Sequence, residues 1–310
     1  MKYLYRLLCA LSVVSISCTY AEENIQFKST PLSPGMVLLE GVGGFAGGNI
    51  LLSIGKDGVF MIDDSMPPLL DTLNKKIEEV AGKPIDFLIN THVHADHTGN
   101  NVAFAEQGAH IIAHENLRAN LLEKGVPGKN GLEKAPKGAL PVITFSQHLA
   151  LHFNDVDAHL VYLGRAHTNG DTVVHFTGAN IIHAGDVLFN GMFPYIDLGN
   201  GGSTEGYIAA QKMVYDMADD KTKIIAGHGP LANKSDLKAS IEMLEDARKR
   251  VQVLIDKGLS EDEIVAKNPL EKYHEKWNWS FISTEKMTRT FYKGLTSSVK
   301  LEKVEKVHYH

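Results

Sequence analysis

Residues 92–97 read His-Val-His-Ala-Asp-His, a spacing that can hold metal ions. They follow a short apolar run, residues 85–89, which predicts a buried strand. In an extended chain, His92 and His94 project from the same face, so both imidazoles can reach one metal. Asp96 and His97 follow where the chain turns toward a helix. A His-x-His-x-Asp-His run is expected by chance in about two of a thousand chains with this content of His and Asp. The segment therefore predicts two adjacent metal positions.

Three more polar residues stand beside glycine after predicted strands. They are His167, Asp186 and His228. Glycine lets the backbone turn tightly around a site, and side chains that follow strands are well placed for function. Taken singly, each of the three is more often structural than functional. Their common position predicts that they join the same site.

These blocks, with Asp63 before the first predicted helix, resemble the metallo-β-lactamase superfamily of metal-dependent hydrolases. The resemblance spans residues 36–255 and implies an α/β (α+β) fold, a four-layer αβ/βα sandwich with its site at the loop ends of two facing sheets. It implies that one metal is held by His92, His94 and His167, that a second is held by Asp96, His97 and His228, and that Asp186 bridges the two. It also implies a catalytic role for Asp96 and an outer-shell role for Asp63, which supports the turn of the motif.

The chemistry of these ligands favours zinc. Imidazole and carboxylate groups suit Zn²⁺, and ligand type leaves iron or manganese open. A bridged pair of cations lowers the pKa of bound water toward ~7 and polarises a carbonyl or phosphoryl oxygen. We therefore expect two zinc ions per chain and a metal-bridging hydroxide as the nucleophile.

The composition is that of a globular protein with an acidic balance. The 310 residues are 44% hydrophobic and 22% charged, with a net charge of −6. Because there is no overall positive field, nucleic acid is not expected as a partner. A small-molecule substrate is expected, and the sequence leaves the oligomeric state open.

The first residues have the pattern of a secretory signal. Lys2 and Arg6 precede a short apolar run, and small residues follow at 19–21. The run is too short to cross a bilayer, so no stable membrane span is expected. We predict a signal peptide at residues 1–21 and a periplasmic or secreted protein, with lipid anchoring at Cys18 as an alternative. Both cysteines, Cys9 and Cys18, lie in this segment, so the exported chain would have no thiol.

The rest of the chain is expected to form two parts. Short strands and turns from about residue 36, a crossover helix near 67–79 and helices at 204–217 and 235–255 predict a hydrolase domain at residues 22–258. Residues 259–310 are expected to be a helical extension and tail, with helices at 260–266 and 283–292 that start after serine caps.

The substrate class is predicted from one difference from the best-known β-lactamases, at position 186, and from one apolar stretch. The resemblance implies a Cys at the position of Asp186 in the best-known β-lactamases, whereas a bridging Asp is typical of lactonases, thioesterases and phosphodiesterases. Four aromatic residues are candidates for an apolar substrate pocket: Phe45 on a glycine-rich loop, and Phe189, Phe193 and Tyr195. We expect a hydrolase that opens a β-lactam, lactone or ester. The alternatives are a phosphodiesterase or thioesterase of the same superfamily, and a non-catalytic metal-binding protein.

Overall fold

A computed structural model describes residues 24–128 and 131–297 of the chain. The predicted signal peptide and residues 298–310 of the predicted tail lie outside the described residues, so those expectations stay predictions. Within the described residues, no helix is long and apolar enough to span a membrane.

The strands form two large sheets and one small hairpin. In chain order they are β1 (Gln26–Ser33), β2 (Met36–Val42), β3 (Ile50–Ile54), β4 (Val59–Ile62), β5 (Phe87–Ile89), β6 (His110–His114), β7 (Val126–Gly128), β8 (Gly131–Glu133), β9 (Ile143–Phe145), β10 (His148–Phe153), β11 (Val156–Tyr162), β12 (Thr172–Phe176), β13 (Ile181–Phe189) and β14 (Lys223–His228). The first sheet has the order β1-β2-β3-β4-β5-β6-β9, the second has the order β10-β11-β12-β13-β14, and β7 pairs with β8. Pairing is parallel from β4 through β5 and β6 to β9 and between β13 and β14, and antiparallel elsewhere.

Helices occupy the connections and the C-terminal part. They are α1 (Leu70–Ala81), α2 (Ala95–Thr98), α3 (Asn101–Glu106), α4 (Glu115–Lys124), α5 (Thr204–Met217), α6 (Lys234–Asp256), α7 (Glu261–Ala266), α8 (His274–Trp277) and α9 (Thr284–Thr296). Local sequence sets their ends: Gly82 ends α1 in the left-handed conformation, and Asn233 and Asp236 form a capping box that starts α6.

Three apolar cores separate four layers. Between the sheets, Phe60 of β4 stacks on Phe176 of β12 with ring centroids 5.8 Å apart. The outer face of the first sheet packs on α1 and α3, and that of the second packs on α5, α6 and α9. This is the predicted αβ/βα sandwich, in which each sheet buries both faces because a helix layer covers the outer one.

Several element boundaries differ from the sequence prediction. Strand β1 was not expected, because its QFKSTPLS sequence is polar and contains a proline; it pairs along the edge of the first sheet. Strand β5 begins at Phe87 and ends at Ile89, and β13 runs on to Phe189. The connection from α4 to β9 contains the β7–β8 hairpin and a 3₁₀ turn at Lys137–Ala139.

The C-terminal helices share a core with the second sheet. Trp277, Met287 and Phe291 are buried in the same cluster as Val173 and Ile224. Helix α9 also packs closely on α5, because a Cβ added at Gly294 would lie 2.4 Å from Thr204 Oγ1. The described part of the predicted extension, residues 259–297, therefore shares one apolar core with the second sheet and its helices, which belong to the predicted domain at residues 22–258.

This shared core predicts that damage to α9 destabilises the whole molecule. Phe291→Ala removes a fully buried ring, and we expect the free energy of unfolding to fall by about 3–5 kcal/mol, measured by denaturant titration. Lys293→Ala on the exposed face is the matched control, with an expected change within about 0.5 kcal/mol. An early transition of the extension alone, with the main transition unchanged, would show two independent domains.

Candidate metal centre

His92, His94 and His167 bring three ring nitrogens together above the second sheet. His94 Nδ1 lies 3.2 Å from His92 Nε2 and 2.8 Å from His167 Nε2. Asp186 Oδ2 completes the group, at 3.6 Å from His92 Nε2 and 3.3 Å from His167 Nε2. Ligands ~2.0–2.1 Å from a tetrahedral metal stand ~3.3 Å apart, so these distances fit one cation.

Asp96, His97 and His228 form a second group beside the first. Asp96 Oδ2 lies 3.5 Å from His97 Nε2 and 3.3 Å from His228 Nε2, and the two Nε2 atoms are 3.4 Å apart. These three separations again match the edges of a metal tetrahedron. The cluster therefore has the geometry for a second cation.

Asp186 lies between the two groups. Its Oδ2 faces the first group, and its Oδ1 lies 3.3 Å from His97 Nε2 and 3.5 Å from His228 Nε2. The carboxyl group is buried, and no described residue donates a hydrogen bond to Oδ1. Since a buried carboxylate oxygen without a partner is costly, the site fits a cation at this position.

A set of outer contacts orients the imidazoles. Asp63 Oδ2 accepts a hydrogen bond from His97 Nδ1 at 2.7 Å and one from Thr91 Oγ1 at 2.8 Å. Asp197 Oδ2 accepts from His94 Nε2 at 2.9 Å, and the carbonyl of Tyr195 accepts from His167 Nδ1 at 2.6 Å. In His97, His94 and His167, the ring nitrogen remote from the cluster makes a hydrogen bond, which leaves the other ring nitrogen to bind a metal.

Two glycines make room for this packing. A Cβ at Gly48 would lie 2.1 Å from His97 Cε1, and a Cβ at Gly227 would lie 1.9 Å from Asp186 Oδ1. Any side chain at either position would collide with a ligand group. The glycine-rich loop and the end of β14 therefore close around the site because they carry no side chain there.

The two groups differ in electrostatics. Burial lowers the pKa of His167 to about 4 and lowers that of His92 well below its ordinary value, so both rings are neutral, as metal ligands must be. In the second group, burial opposes protonation, but the carboxylates of Asp186 and Asp96 raise the pKa of His228 to about 9. The second group thus holds positive charge between two carboxylates, which is the charge arrangement that a divalent cation would satisfy.

A cavity of about 670 Å³ opens over these groups. Asp96, Asp186, His94 and His228 line its inner end, and most of the remaining lining is apolar; the other lining residues are Phe45, Met66, Ala95, Phe189, Tyr195, Asp197, Trp279, Ser280 and Phe281. The volume is that of a small-molecule site.

Sequence reasoning located the ligand groups and part of the pocket. The structure brings all seven predicted ligands together and places Asp63 behind His97. However, β5 ends at Ile89, so His92 and His94 lie in the following turn and not in an extended strand. Asp186 lies within β13.

The prediction that Phe193 lines the pocket is wrong. Its ring is fully buried in the core beneath the cavity, edge-on to Tyr273. An apolar stretch does not reveal which side chains face the core. Six lining residues were missed: Met66, Ala95, Asp197, Trp279, Ser280 and Phe281. Asp197 is an isolated aspartate close after Tyr195, and Trp279 and Phe281 lie well beyond the last ligand motif, so none of these three gave a local signal.

The sequence profile of the metallo-beta-lactamase superfamily matches residues 43–229, which is more than half of the chain. The chain belongs to the metallo-β-lactamase superfamily. Members of this superfamily are mostly hydrolases, and the fold with its His/Asp cluster implies a divalent metal.

Two relatives show how far sequence similarity extends. The α subunit of a 2,4-dinitroanisole O-demethylase from Nocardioides sp. (strain JS1661) is 31% identical over 111 residues, 35% of this chain and 31% of the relative. The chain thus matches less than a third of that protein's length. A type 2 metallo-beta-lactamase from Bacillus cereus is 24% identical over 252 residues, 75% of this chain and 92% of the relative.

Solved structures share the superfamily fold. A metallo-beta-lactamase from Pontibacter korlensis has a TM-score of 0.60 at 18% identity, covering 71% of this chain and 100% of that one. A double mutant of the sec-alkyl sulfatase PisA1 has a TM-score of 0.65 at 14% identity, covering 88% of this chain and 51% of that one. At these identities the similarity concerns the fold alone.

The contact between Asp63 and His97 predicts a change in metal affinity. Asp63→Asn keeps the size of the side chain but weakens the acceptor that orients His97, so we expect metal affinity to fall about 10- to 100-fold. Competition with a chromophoric chelator measures this change. Asp71→Asn, an exposed position on α1, is the control. Equal affinity in both variants would show that Asp63 does not support the site.

Proposed function

We propose that this chain is a dinuclear, zinc-dependent hydrolase that opens small carbonyl substrates such as β-lactams, lactones and aryl esters. The observation that carries the proposal is the position of Asp186, whose two oxygens each face a separate three-residue group. One site needs four ligands, whereas these groups offer seven.

In this proposal the first zinc would be held by His92, His94 and His167. The second would be held by Asp96, His97 and His228, and Asp186 would be shared by both sites. A bound pair of zinc ions supplies an activated water and polarises the carbonyl oxygen of the substrate. Asp96 would have a second role beside metal binding: its side chain lines the cavity, where its carboxylate would accept a hydrogen bond from the attacking water and orient it. Although burial opposes ionisation, His97 and His228 lower the pKa of Asp96 to about 2, which keeps that carboxylate ionised as a metal ligand must be.

The lining of the cavity supports uncharged substrates. Among the described residues, no Lys or Arg lines it. The ammonium of Lys286 approaches the outer aromatic side chains, but it lies over the ring of Phe281 and donates to the Phe281 carbonyl. A β-lactam carboxylate therefore finds no Lys or Arg side chain in the described lining to pair with, and we expect modest β-lactamase efficiency. A relative named for 2,4-dinitroanisole, an aromatic compound, supports the inclusion of aryl substrates.

We expect two zinc ions per chain in protein purified without chelator. Elemental analysis measures the ratio in the wild type and in Asp186→Asn, which keeps the shape of the bridge but removes its charge. The variant is expected to retain one metal or none while its circular dichroism is unchanged. A ratio of one in the wild type that added zinc does not raise would contradict the bridged pair.

Steady-state rates decide the substrate class. We expect kcat/KM on acyl lactones and aryl esters at least equal to that on a chromogenic cephalosporin, and loss of all these activities in His94→Ala. His274→Ala, an exposed histidine of α8, is the matched control and should keep full activity. Fast cleavage of a bis-aryl phosphodiester or an alkyl sulfate ester, with no carbonyl activity, would move the protein to another branch of the superfamily. Bound metal without turnover on any substrate would favour the non-catalytic alternative.

A further inference from the structure

The segment between α8 and α9 forms a wall of the cavity. Trp279, Ser280 and Phe281 all line it, opposite the strands and loops that carry the metal-binding groups. These residues lie well beyond residues 43–229, which match the superfamily profile. The wall is therefore a feature of this chain's C-terminal part and not of the segment that defines the superfamily.

Two buried residues anchor this wall. Trp277 and Ile282 are in the core beside the second sheet, so the intervening residues are pushed outward between fixed ends. The backbone N–H of Trp279 donates to the carbonyl of Ile282, and its indole Nε1 donates to the carbonyl of Phe193 at 2.9 Å. The indole is thus held in one orientation.

Phe281 is held in place although it is half exposed. Its ring contacts Tyr195 and Trp279, with centroids 5.4 and 5.6 Å apart, and the ammonium of Lys286 lies 3.8 Å from its centroid. Lys286 Nζ also donates to the Phe281 carbonyl at 3.1 Å. Phe281 is 49% exposed and Phe45, elsewhere on the same cavity, is 53% exposed. Apolar rings held open to solvent at a cavity mouth indicate a surface that another apolar group covers.

The aromatic side chains continue inward to the metal-binding groups. Phe189 lies between Trp279, at 6.3 Å, and the imidazole of His228, at 5.0 Å. Phe45 stacks on the same imidazole at 5.7 Å. A substrate whose reacting bond lies over His228 and Asp186 would therefore place its neighbouring group among aromatic faces.

We propose that Trp279 and Phe281 form a binding subsite for an uncharged aromatic group of the substrate. Flat rings recognise flat rings through offset or edge-to-face contacts, and no Lys or Arg lines the described cavity to pair with an anionic group. The assignment of this group as part of a substrate rests on the proposed hydrolase function. The binding of an aromatic compound to the wall does not, because these side chains are positioned without any metal.

Trp279 provides a direct test, because the chain contains two tryptophans. In Trp277→Phe, the indole of Trp279 is the fluorophore, and in Trp279→Phe it is the buried Trp277. Both variants are treated with chelator and titrated with 4-nitrobenzyl alcohol, an uncharged nitroarene that quenches indole fluorescence on contact. We expect saturable quenching in Trp277→Phe and weak, linear quenching in Trp279→Phe.

Adding Phe281→Ala to Trp277→Phe is expected to weaken the apparent affinity about two- to ten-fold, the size of one lost aromatic pair. Phe281→Tyr keeps the ring and should restore the affinity. Thermal unfolding of each variant verifies that it is folded. Linear quenching in Trp277→Phe, or an affinity that Phe281→Ala leaves unchanged, would overturn the proposed subsite.

A parallel measurement in the zinc-loaded wild-type background distinguishes this proposal from the proposed function. Trp279→Leu is expected to raise KM for a phenyl ester several-fold while leaving kcat and the KM for a methyl ester nearly unchanged. If no ester, lactone or β-lactam is hydrolysed but quenching saturates, the hydrolase proposal fails and the aromatic subsite stands. If esters are hydrolysed without saturable quenching, the subsite fails and the hydrolase proposal stands.

Discussion

The buried carboxylate of Asp186 is the constraint on which the rest of the structure depends. A charge removed from water must be balanced by neighbouring charges or dipoles, and here four imidazoles face its two oxygens. Two of those imidazoles follow strand β5 of the first sheet: His92 lies in the turn after it and His97 lies in α2. The other two, His167 and His228, come from the second sheet's side. The two sheets must therefore keep one position relative to each other. The core between them, in which Phe60 stacks on Phe176, holds them in that position.

Local sequence was enough to find most of the site, because the ligands cluster along the chain. Four of the ligands fall within six consecutive positions: His92, His94, Asp96 and His97. Any fold that places one of them at a site therefore brings the others close. His167, Asp186 and His228 were identified by their position beside glycine, and Gly227 shows the reason: a side chain there would occupy the space of Asp186 Oδ1. The types of the ligand residues and the glycines near them can both be read from the sequence, so these assignments could be made from it.

The surroundings of the site could not be predicted in this way. Asp197 reaches His94 across more than a hundred residues of chain, and an isolated aspartate gives no periodic or motif signal. Phe193 and Tyr195 belong to one apolar stretch, yet the first faces the core and the second lines the cavity. Which of two neighbouring rings points outward depends on what packs behind them, in this case Trp277 and Tyr273 from the C-terminal helices. That information is tertiary and is spread over distant parts of the chain.

The placement of Trp279, Ser280 and Phe281 between the anchors Trp277 and Ile282 has a consequence for how this protein can diverge. The candidate metal ligands and the proposed aromatic wall are encoded in separate stretches of the chain, which meet through a common core and through contacts around the cavity. If the wall binds substrate as proposed, substitutions in its three residues can alter which molecules are admitted without displacing a metal ligand. Among the described residues, the side chains that orient the candidate ligands by hydrogen bonds lie outside the wall. Selection on substrate range and selection on reactivity can therefore act on different codons, and close homologues with identical metal-binding groups can differ in what they accept.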